Sequence, residues 1–72
     1  MQKNRVMLVA DDIDVNRASF RAMFEEEYEV LEAGDGEEAV DTFFAQKDIA
    51  LVLLDVMMPK MDGWEVLKTI RK

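Results

Sequence analysis

The chain places three aspartates directly after two runs of apolar residues. Asp11 and Asp12 follow the run at residues 6–10, and Asp55 follows the run at residues 49–54. If these runs are neighbouring parallel strands, their carboxyl ends bring the three carboxylates into one crevice. Unpaired carboxylates about 4 Å apart repel by roughly 4 kcal/mol per pair at an effective dielectric of about 20, so such a cluster requires a cation. The pattern therefore predicts a site for a hard cation and a phosphoryl group.

The types and spacing of these carboxylates fit magnesium-dependent phosphoryl chemistry. Mg²⁺ prefers about six oxygen ligands, of which one or two are carboxylates and the others are waters and phosphate oxygens. Asp11 and Asp12 are adjacent and suited to share one cation, one directly and one through water. Asp55 stands alone after the run that we predict to be the most buried strand, and we predict that it is the nucleophile. Its attack on phosphorus would give an aspartyl phosphate once a cation neutralises the phosphoryl oxygens.

A simpler explanation of these aspartates is that they begin loops. Aspartate is common in turns, where its side chain hydrogen-bonds to nearby backbone. Either feature alone would fit that explanation. The occurrence of both, at the ends of two continuous apolar runs, favours the functional interpretation.

The composition excludes several kinds of chemistry. The 72 residues make one domain at most, and they include no histidine and no cysteine. The chain therefore has no histidine base, no histidine-ligated zinc, no phosphohistidine and no disulfide. The formal net charge of −7 argues against direct binding to nucleic acid.

The amino-terminal residues do not have the pattern of a targeting segment. Residues 1–5 are followed by only a short apolar run, which ends in two aspartates. This pattern fits neither a signal peptide nor a membrane-spanning helix. We therefore expect a cytoplasmic protein that does not contact a membrane.

Three strand-like segments alternate with three helical periods along the chain. Residues 6–10 and 49–54 are uniformly apolar, which is typical of strands covered on both faces. Residues 28–32 carry charge at short intervals and suit an edge strand. Alternation of this kind indicates an α/β protein with parallel strands and right-handed crossovers. We predict three layers, the strand order 2-1-3, and a ligand site beyond the carboxyl ends of the strands.

The first helix is predicted from apolar residues that recur at 100° per residue. Asp14 is predicted to be its N-cap, because a carboxylate there would accept a backbone N–H of the first turn. The stripe predicted to face the core consists of Val15, Ala18, Ser19, Phe20, Ala22 and Met23.

The second and third helices carry stronger start signals. Asp35 is followed by Glu38, and Asp62 is followed by Glu65, which is the spacing of a capping box. We predict that Trp64 packs against the core rather than marking a partner surface. The residues predicted to face the core are Ala39, Val40, Phe43 and Phe44 in the second helix, and Trp64, Val66, Leu67 and Ile70 in the third.

Three strands are fewer than a doubly wound sheet normally contains, since the common orders have about five or six. The chain is therefore expected to form a (βα)3 unit, one half of a flavodoxin-like fold. In that half, the strand at residues 49–54 would lack its next neighbour on one side.

Three segments resemble the receiver domain of bacterial response regulators. Residues 55–66, Asp-Val-Met-Met-Pro-Lys-Met-Asp-Gly-Trp-Glu-Val, resemble the phosphorylation loop of that family. Residues 6–12 resemble its first strand and acidic pair, and residues 35–39 resemble the start of its second helix. On this resemblance, residues 1–72 are the first three βα units of a receiver domain of the chemotaxis-regulator type.

The resemblance implies a phosphoacceptor module of a two-component phosphorelay rather than an enzyme. It implies that Asp55 accepts a phosphoryl group from a sensor histidine kinase or a histidine phosphotransfer protein. It also implies that Mg²⁺ is bound by Asp55, directly by Asp12, through water by Asp11, and by the backbone carbonyl of Met57. At most, a complete domain of this family would slowly remove its own phosphoryl group.

The sequence departs from the family in lacking the later part of the fold. The family's fourth strand ends in a serine or threonine and its fifth in a lysine, and neither strand has a counterpart here. We therefore expect impaired activity in the isolated chain. The unpaired apolar edge at residues 49–54 is a template for pairing between molecules, so we also expect self-association.

Two other functions fit parts of the sequence. A half-receiver that is not phosphorylated could act as a self-associating scaffold. A phosphatase of the haloacid dehalogenase type would also use an aspartate nucleophile and Mg²⁺. That family needs a second acidic residue two positions after Asp55, where Met57 stands, so the receiver interpretation is preferred.

Overall fold

A computed structural model describes residues 5–46, 48–55 and 62–71 of the chain. Within these residues, strands and helices alternate as the sequence predicted. No described helix has the length and apolar character needed to cross a membrane. The strands are β1 (Arg5–Ala10), β2 (Tyr28–Ala33) and β3 (Ile49–Leu54), and the helices are α1 (Asp14–Phe24), α2 (Gly36–Ala45) and α3 (Gly63–Ile70).

The central strand of a parallel three-stranded sheet is β1. It pairs with β2 on one side and with β3 on the other, which gives the order β2-β1-β3. The predicted α/β class and the strand order 2-1-3 are therefore confirmed. The ladders pair Ala10 with Ala33 in β2 and with Leu54 in β3, so the carboxyl ends of the three strands lie level.

The most buried strand is β1 rather than β3. Met7, Leu8, Val9 and Ala10 are at most 1% exposed, whereas no side chain of β3 is fully buried. The prediction that residues 49–54 form the most buried strand is therefore wrong. The reason is that β1 has a strand on each side, whereas β3 pairs with β1 alone among the described residues.

Alternate residues of β1 face two separate apolar cores. Leu8 and Ala10 pack with Val66 on the face covered by α2 and α3, and Met7 and Val9 face α1 on the other side. This two-residue alternation is the reason that one central strand supports helices in both outer layers. Further members are Ala33 and Ala39 on the first face, and Val30, Phe20 and Phe24 on the second.

Of the stripe predicted for helix α1, Phe20 alone packs on the sheet, so the prediction is wrong for the other residues. Val15 and Met23 are 71% and 66% exposed, whereas Phe20 and Phe24 pack against the sheet. Because apolar residues occur on both sides of this helix, the spacing alone allowed two buried faces. The two phenylalanines bury more apolar area than the small residues opposite them, and they take the core position. Apart from Phe20, the whole predicted stripe is exposed: Val15, Ala18, Ser19, Ala22 and Met23.

The N-cap of α1 is Ile13, so the prediction of Asp14 at this position is wrong. Ile13 has an extended backbone and no side-chain cap. The chain enters the helix early because the Asp11 carboxylate accepts the backbone N–H of Ile13 at 3.0 Å, which tightens the turn. Asp14 is instead the first helical residue, where its carboxylate pairs with Arg17.

The predicted caps of α2 and α3 are present. Asp35 accepts the backbone N–H of Glu38 at 2.8 Å, and Asp62 accepts that of Glu65 at 3.0 Å. In α2 the return bond of the capping box is displaced by one residue, because the Glu38 carboxylate accepts the N–H of Gly34 at 2.6 Å. Each helix therefore begins with a side-chain bond that replaces a missing backbone partner.

Two large aromatic residues predicted to face the core lie at the surface. Phe44 is 62% exposed and Trp64 is 63% exposed, so the prediction of core packing is wrong for both. Phe44 contacts the edge of Phe43, with ring centroids 5.4 Å apart, and Val66 supplies the buried position of α3. In α2 the smaller Ala39 occupies a buried core position.

The cap of α2 gives a direct test of this local structure. Asp35→Ala should lower the free energy of unfolding by about 1 kcal/mol, because one N–H of the first turn loses its partner. Asp35→Asn should restore most of this loss, since asparagine caps equally well. Urea denaturation followed by circular dichroism measures the difference. The matched control is Asp41→Ala in the exposed part of the same helix, and an equal loss in that variant would contradict the capping role.

Candidate metal and phosphoryl site

The three aspartates predicted to form a site come together at the carboxyl edge of the sheet. Oxygens from Asp11, Asp12 and Asp55 all lie within 4.8 Å of one another. Asp11 is buried, Asp55 is half-buried, and Asp12 is exposed. The site therefore has a fixed inner side and an open outer side from which a ligand can approach.

Backbone hydrogen bonds of the sheet continue into the site and set its geometry. The N–H of Asp11 donates to the carbonyl of Ala33 at 3.1 Å, one residue beyond β1. The N–H of Asp55 donates to the carbonyl of Ala10 at 2.9 Å, one residue beyond β3. Both aspartates are thus held in register with the sheet, and this register brings their carboxylates together.

Asp11 is the most constrained of the three side chains. Its carboxylate accepts the backbone N–H of Ile13 at 3.0 Å and the side-chain amide of Asn16 at 3.3 Å. With 8% exposure, this carboxylate is oriented by protein donors rather than by bulk water. Sequence reasoning did not find Asn16; its position in the first turn of α1, five residues after Asp11, was the available signal.

The donor set fits a hard divalent cation. Two oxygens bound to one Mg²⁺ at about 2.1 Å lie at most about 4.2 Å apart, slightly less than the observed limit of 4.8 Å. That separation suits direct binding by some of the carboxylates and binding through water by another. No described lysine or arginine forms an ion pair with the carboxylate of Asp11 or Asp12. These residues therefore match the requirements of Mg²⁺ in ligand type, number and charge.

An open cleft of about 250 Å³ adjoins the carboxylates. Asp11 and Asp55 line it together with apolar residues such as Phe20 and Leu53. Such a cleft admits a group larger than a metal ion next to Asp55. The space is consistent with a phosphoryl group approaching from the open side of the sheet.

A salt-bridge network behind the site connects α1 to β2. Glu32 accepts from Arg17 Nε at 3.1 Å and from Arg21 Nε at 2.6 Å. The hydrogen bond from Arg21, reinforced by that from Arg17, lowers the pKa of Glu32 although partial burial opposes the shift. Arg17 also donates to the backbone carbonyl of Asp11 at 2.6 Å. Sequence reasoning missed this network, although the four-residue spacing of Arg17 and Arg21 placed both on one helix face.

Part of the predicted site lies outside the described residues. Met57, predicted to supply a backbone carbonyl ligand, belongs to residues 56–61, which the structure does not describe. Its role therefore stays a prediction, as do the separate roles assigned to the three aspartates.

Comparison with known sequences points to one family. Residues 7–72 match the family model of the response regulator receiver domain. A probable transcriptional regulator ycf27 of Cyanophora paradoxa is 42% identical over 72 residues, which make 100% of this chain and 30% of that protein. The transcriptional regulatory protein CpxR of Escherichia coli K12 is 39% identical over 69 residues, 96% of this chain and 29% of that protein. The chain thus spans less than a third of the length of these relatives.

Solved structures show the same similarity in three dimensions. The response regulator TrrA of Thermotoga maritima, in complex with Mg²⁺ and BeF, has a TM-score of 0.88 and 39% identity, covering 94% of this chain and 59% of that one. A receiver domain protein from Clostridium thermocellum has a TM-score of 0.88 and 28% identity, covering 94% of this chain and 56% of that one. The receiver domain of the hybrid histidine kinase CckA has a TM-score of 0.82 and 39% identity, covering 90% of this chain and 62% of that one.

The Glu32 ion pairs are expected to make stability depend on pH. Because folding lowers the pKa of Glu32, its stabilisation is fully present above the unfolded value of about 4.5 and is lost as the pH falls through the lower folded value. Glu32→Gln should therefore lower the free energy of unfolding by up to about 1 kcal/mol at neutral pH, and the difference from wild type should disappear in acid. Urea denaturation across this pH range measures the effect.

The matched control for this prediction is Glu29→Gln, an exposed position on the same strand. This variant should keep the pH dependence of the wild type. A deficit in Glu32→Gln that stays constant from neutral pH into acid would show that the ion pairs do not contribute through ionisation.

Proposed function

The chain belongs to the response regulator receiver domain family, and we propose that it serves as a phosphoacceptor module of a two-component phosphorelay. Receiver domains are signalling modules rather than classical enzymes. The observation that carries the proposal is the meeting of the Asp11, Asp12 and Asp55 carboxylates at the carboxyl edge of the sheet. A similar structure, TrrA, was solved with Mg²⁺ and BeF, which supports the same chemistry here.

In the proposed reaction, Asp55 takes a phosphoryl group from the phosphohistidine of a sensor histidine kinase or a histidine phosphotransfer protein. A carboxylate oxygen of Asp55 forms a bond to phosphorus while the P–N bond of the donor breaks, and the imidazole leaves and takes up a proton. Bound Mg²⁺ would supply the positive charge that neutralises the phosphoryl oxygens.

The proposed metal ligands are Asp55 and Asp12 directly, Asp11 through water, and the backbone carbonyl of Met57. Exposure supports this division, because Asp12 faces the open side whereas Asp11 already accepts two protein hydrogen bonds. Asp55 lies close to both, at the end of the neighbouring strand, and it lines the cleft. This order of ligands is consistent with the one or two direct carboxylates that Mg²⁺ uses in proteins.

The proposal covers this chain and not the longer relatives. Because the chain spans 30% of the ycf27 relative, the activity and partners of a whole protein of that kind stay proposals. The cytoplasmic location and the lack of direct contact with nucleic acid also stay predictions. The phosphatase alternative is not retained, because Met57 stands where that family needs its second acidic residue.

Phosphorylation can be measured directly on the 72-residue chain. Incubation with acetyl phosphate and Mg²⁺ should add the mass of one phosphoryl group, and fragmentation should locate it on Asp55. Chelation of Mg²⁺ or the substitution Asp12→Ala should reduce the yield about tenfold or more, since either removes charge stabilisation of the phosphoryl oxygens.

Two variants provide the controls for this experiment. Asp55→Asn should abolish the mass increase, whereas Asp41→Asn, a surface change on α2, should leave it unaltered. Labelling of a different residue, or a wild-type chain that remains unmodified after prolonged incubation with Mg²⁺, would contradict the phosphoacceptor role for this chain.

A second candidate function is self-association through β3. Among the described residues, β3 pairs with β1 alone, so its other edge presents backbone donors and acceptors next to apolar side chains. Such an edge promotes pairing with another chain. We propose that the 72-residue chain associates through this edge, either together with phosphorylation or as a scaffold without it.

Light scattering at tens of micromolar tests this association. The wild-type chain should be larger than a monomer, and Ala50→Lys should shift it towards the monomer, because an exposed lysine on β3 opposes edge pairing. The matched control is Ala45→Lys on α2, which adds the same charge away from this edge. A wild-type chain that is a stable monomer would contradict the proposal.

A further inference from the structure

One guanidinium joins the salt-bridge network to the backbone of the acidic site. Arg17 Nη1 donates to the carbonyl oxygen of Asp11 at 2.6 Å, and its Nε donates to Glu32 at 3.1 Å. Its Nη2 forms a further ion pair with Asp14. The Arg17 side chain is only 16% exposed, so these contacts are made in a partly desolvated position.

The carbonyl that Arg17 contacts belongs to the peptide group between Asp11 and Asp12. The orientation of this peptide plane sets the direction in which the Asp12 side chain leaves the backbone. Asp11 is fixed independently, by its N–H bond to Ala33 and by the two donors on its carboxylate. The Asp12 side chain is exposed and accepts no hydrogen bond from residues 5–46, 48–55 and 62–71, so within this part of the chain the peptide plane is the main constraint on its direction.

The flat shape of the Arg17 guanidinium suits it to fix the orientation of the Asp11–Asp12 peptide group, in addition to supplying a positive charge. A guanidinium is flat and its donors point in fixed directions, so three acceptors on one group define its orientation. Here the acceptors come from β2, from the first turn of α1 and from the β1–α1 turn. The guanidinium therefore links the peptide between Asp11 and Asp12 to β2 by hydrogen bonds.

We propose that Arg17 is a positioning residue for the cation site, because it fixes the Asp11–Asp12 peptide and thereby aims the Asp12 carboxylate at the ion. The proposal rests on the proposed function, since it requires that the aspartates bind a divalent cation. Partners that orient metal ligands typically change metal affinity by about 10-fold to 100-fold when they are removed.

Arg21 offers a matched comparison within the same helix. It donates to the other oxygen of Glu32 at 2.6 Å and to the carbonyl of Val30 at 3.0 Å, but it has no described contact with the site aspartates. Replacing either arginine with methionine removes one positive charge and one bond to Glu32 while retaining much of the apolar stem. Only the change at Arg17 also releases the Asp11 carbonyl.

The experiment is a MgCl₂ titration of isotopically labelled chain, followed by NMR. In the wild type, the backbone signals of Asp11, Asp12 and Asp55 should shift and saturate. Arg17→Met should weaken Mg²⁺ binding about tenfold or more, whereas Arg21→Met should stay within about twofold of the wild type. Without Mg²⁺, the Asp11 carbonyl carbon should shift in Arg17→Met but not in Arg21→Met, because only the change at Arg17 removes a hydrogen bond to that carbonyl.

The conservative variant separates geometry from charge. Arg17→Lys keeps the charge but loses the planar fork, so its Mg²⁺ binding should remain weakened. Full recovery in Arg17→Lys would show that charge alone acts and would overturn the positioning role. Urea denaturation of the three variants, measured without Mg²⁺, identifies any loss of folding, and the affinities are compared in conditions where each chain is folded.

The outcomes distinguish this inference from the function on which it rests. A wild-type chain whose site signals do not respond to MgCl₂ would contradict the cation site itself. A wild type that binds Mg²⁺, with equal affinity in Arg17→Met and Arg21→Met, would overturn only the role of Arg17. Weaker binding confined to Arg17→Met and Arg17→Lys supports the proposal.

Discussion

The parallel pairing of β1 on both of its edges is the constraint on which the rest of the structure depends. It buries the central strand, divides the core into two faces, and brings the three strand ends level. The same ladder continues into the backbone of Asp11 and Asp55, so their carboxylates meet at one edge. Sheet formation therefore concentrates negative charge, and a bound cation would remove the repulsion that results.

The three carboxylates of the site differ in how firmly they are held. Asp11 is buried and hydrogen-bonded, whereas Asp12 is exposed and accepts no hydrogen bond from the described residues. A site of this kind combines a rigid side with an adjustable one. Mg²⁺ retains several waters and requires nearly octahedral geometry, so an adjustable ligand allows the metal to approach that geometry without a change in the sheet.

Much of the fold was predictable because local signals and tertiary structure agree. The uniformly apolar strands, the alternation of elements, and the caps at Asp35 and Asp62 were all found from sequence. The inner face of α1 was not, because apolar residues occur on both sides of that helix. Trp64 was misplaced for a related reason: its position in the helical period allowed burial, but Val66 takes the buried position of α3 instead.

The sequence by itself identified the three aspartates that meet at the sheet edge, because aspartates at the ends of apolar strands are recognisable from residue type and spacing. It also placed the second strand at an edge of the sheet, since charge in that segment is typical of an edge strand. Only the tertiary structure decided how the site is held. The contacts of Arg17 with Asp11 and Glu32 depend on the rotation of α1 against the sheet, and that rotation is set by packing among residues distant in sequence.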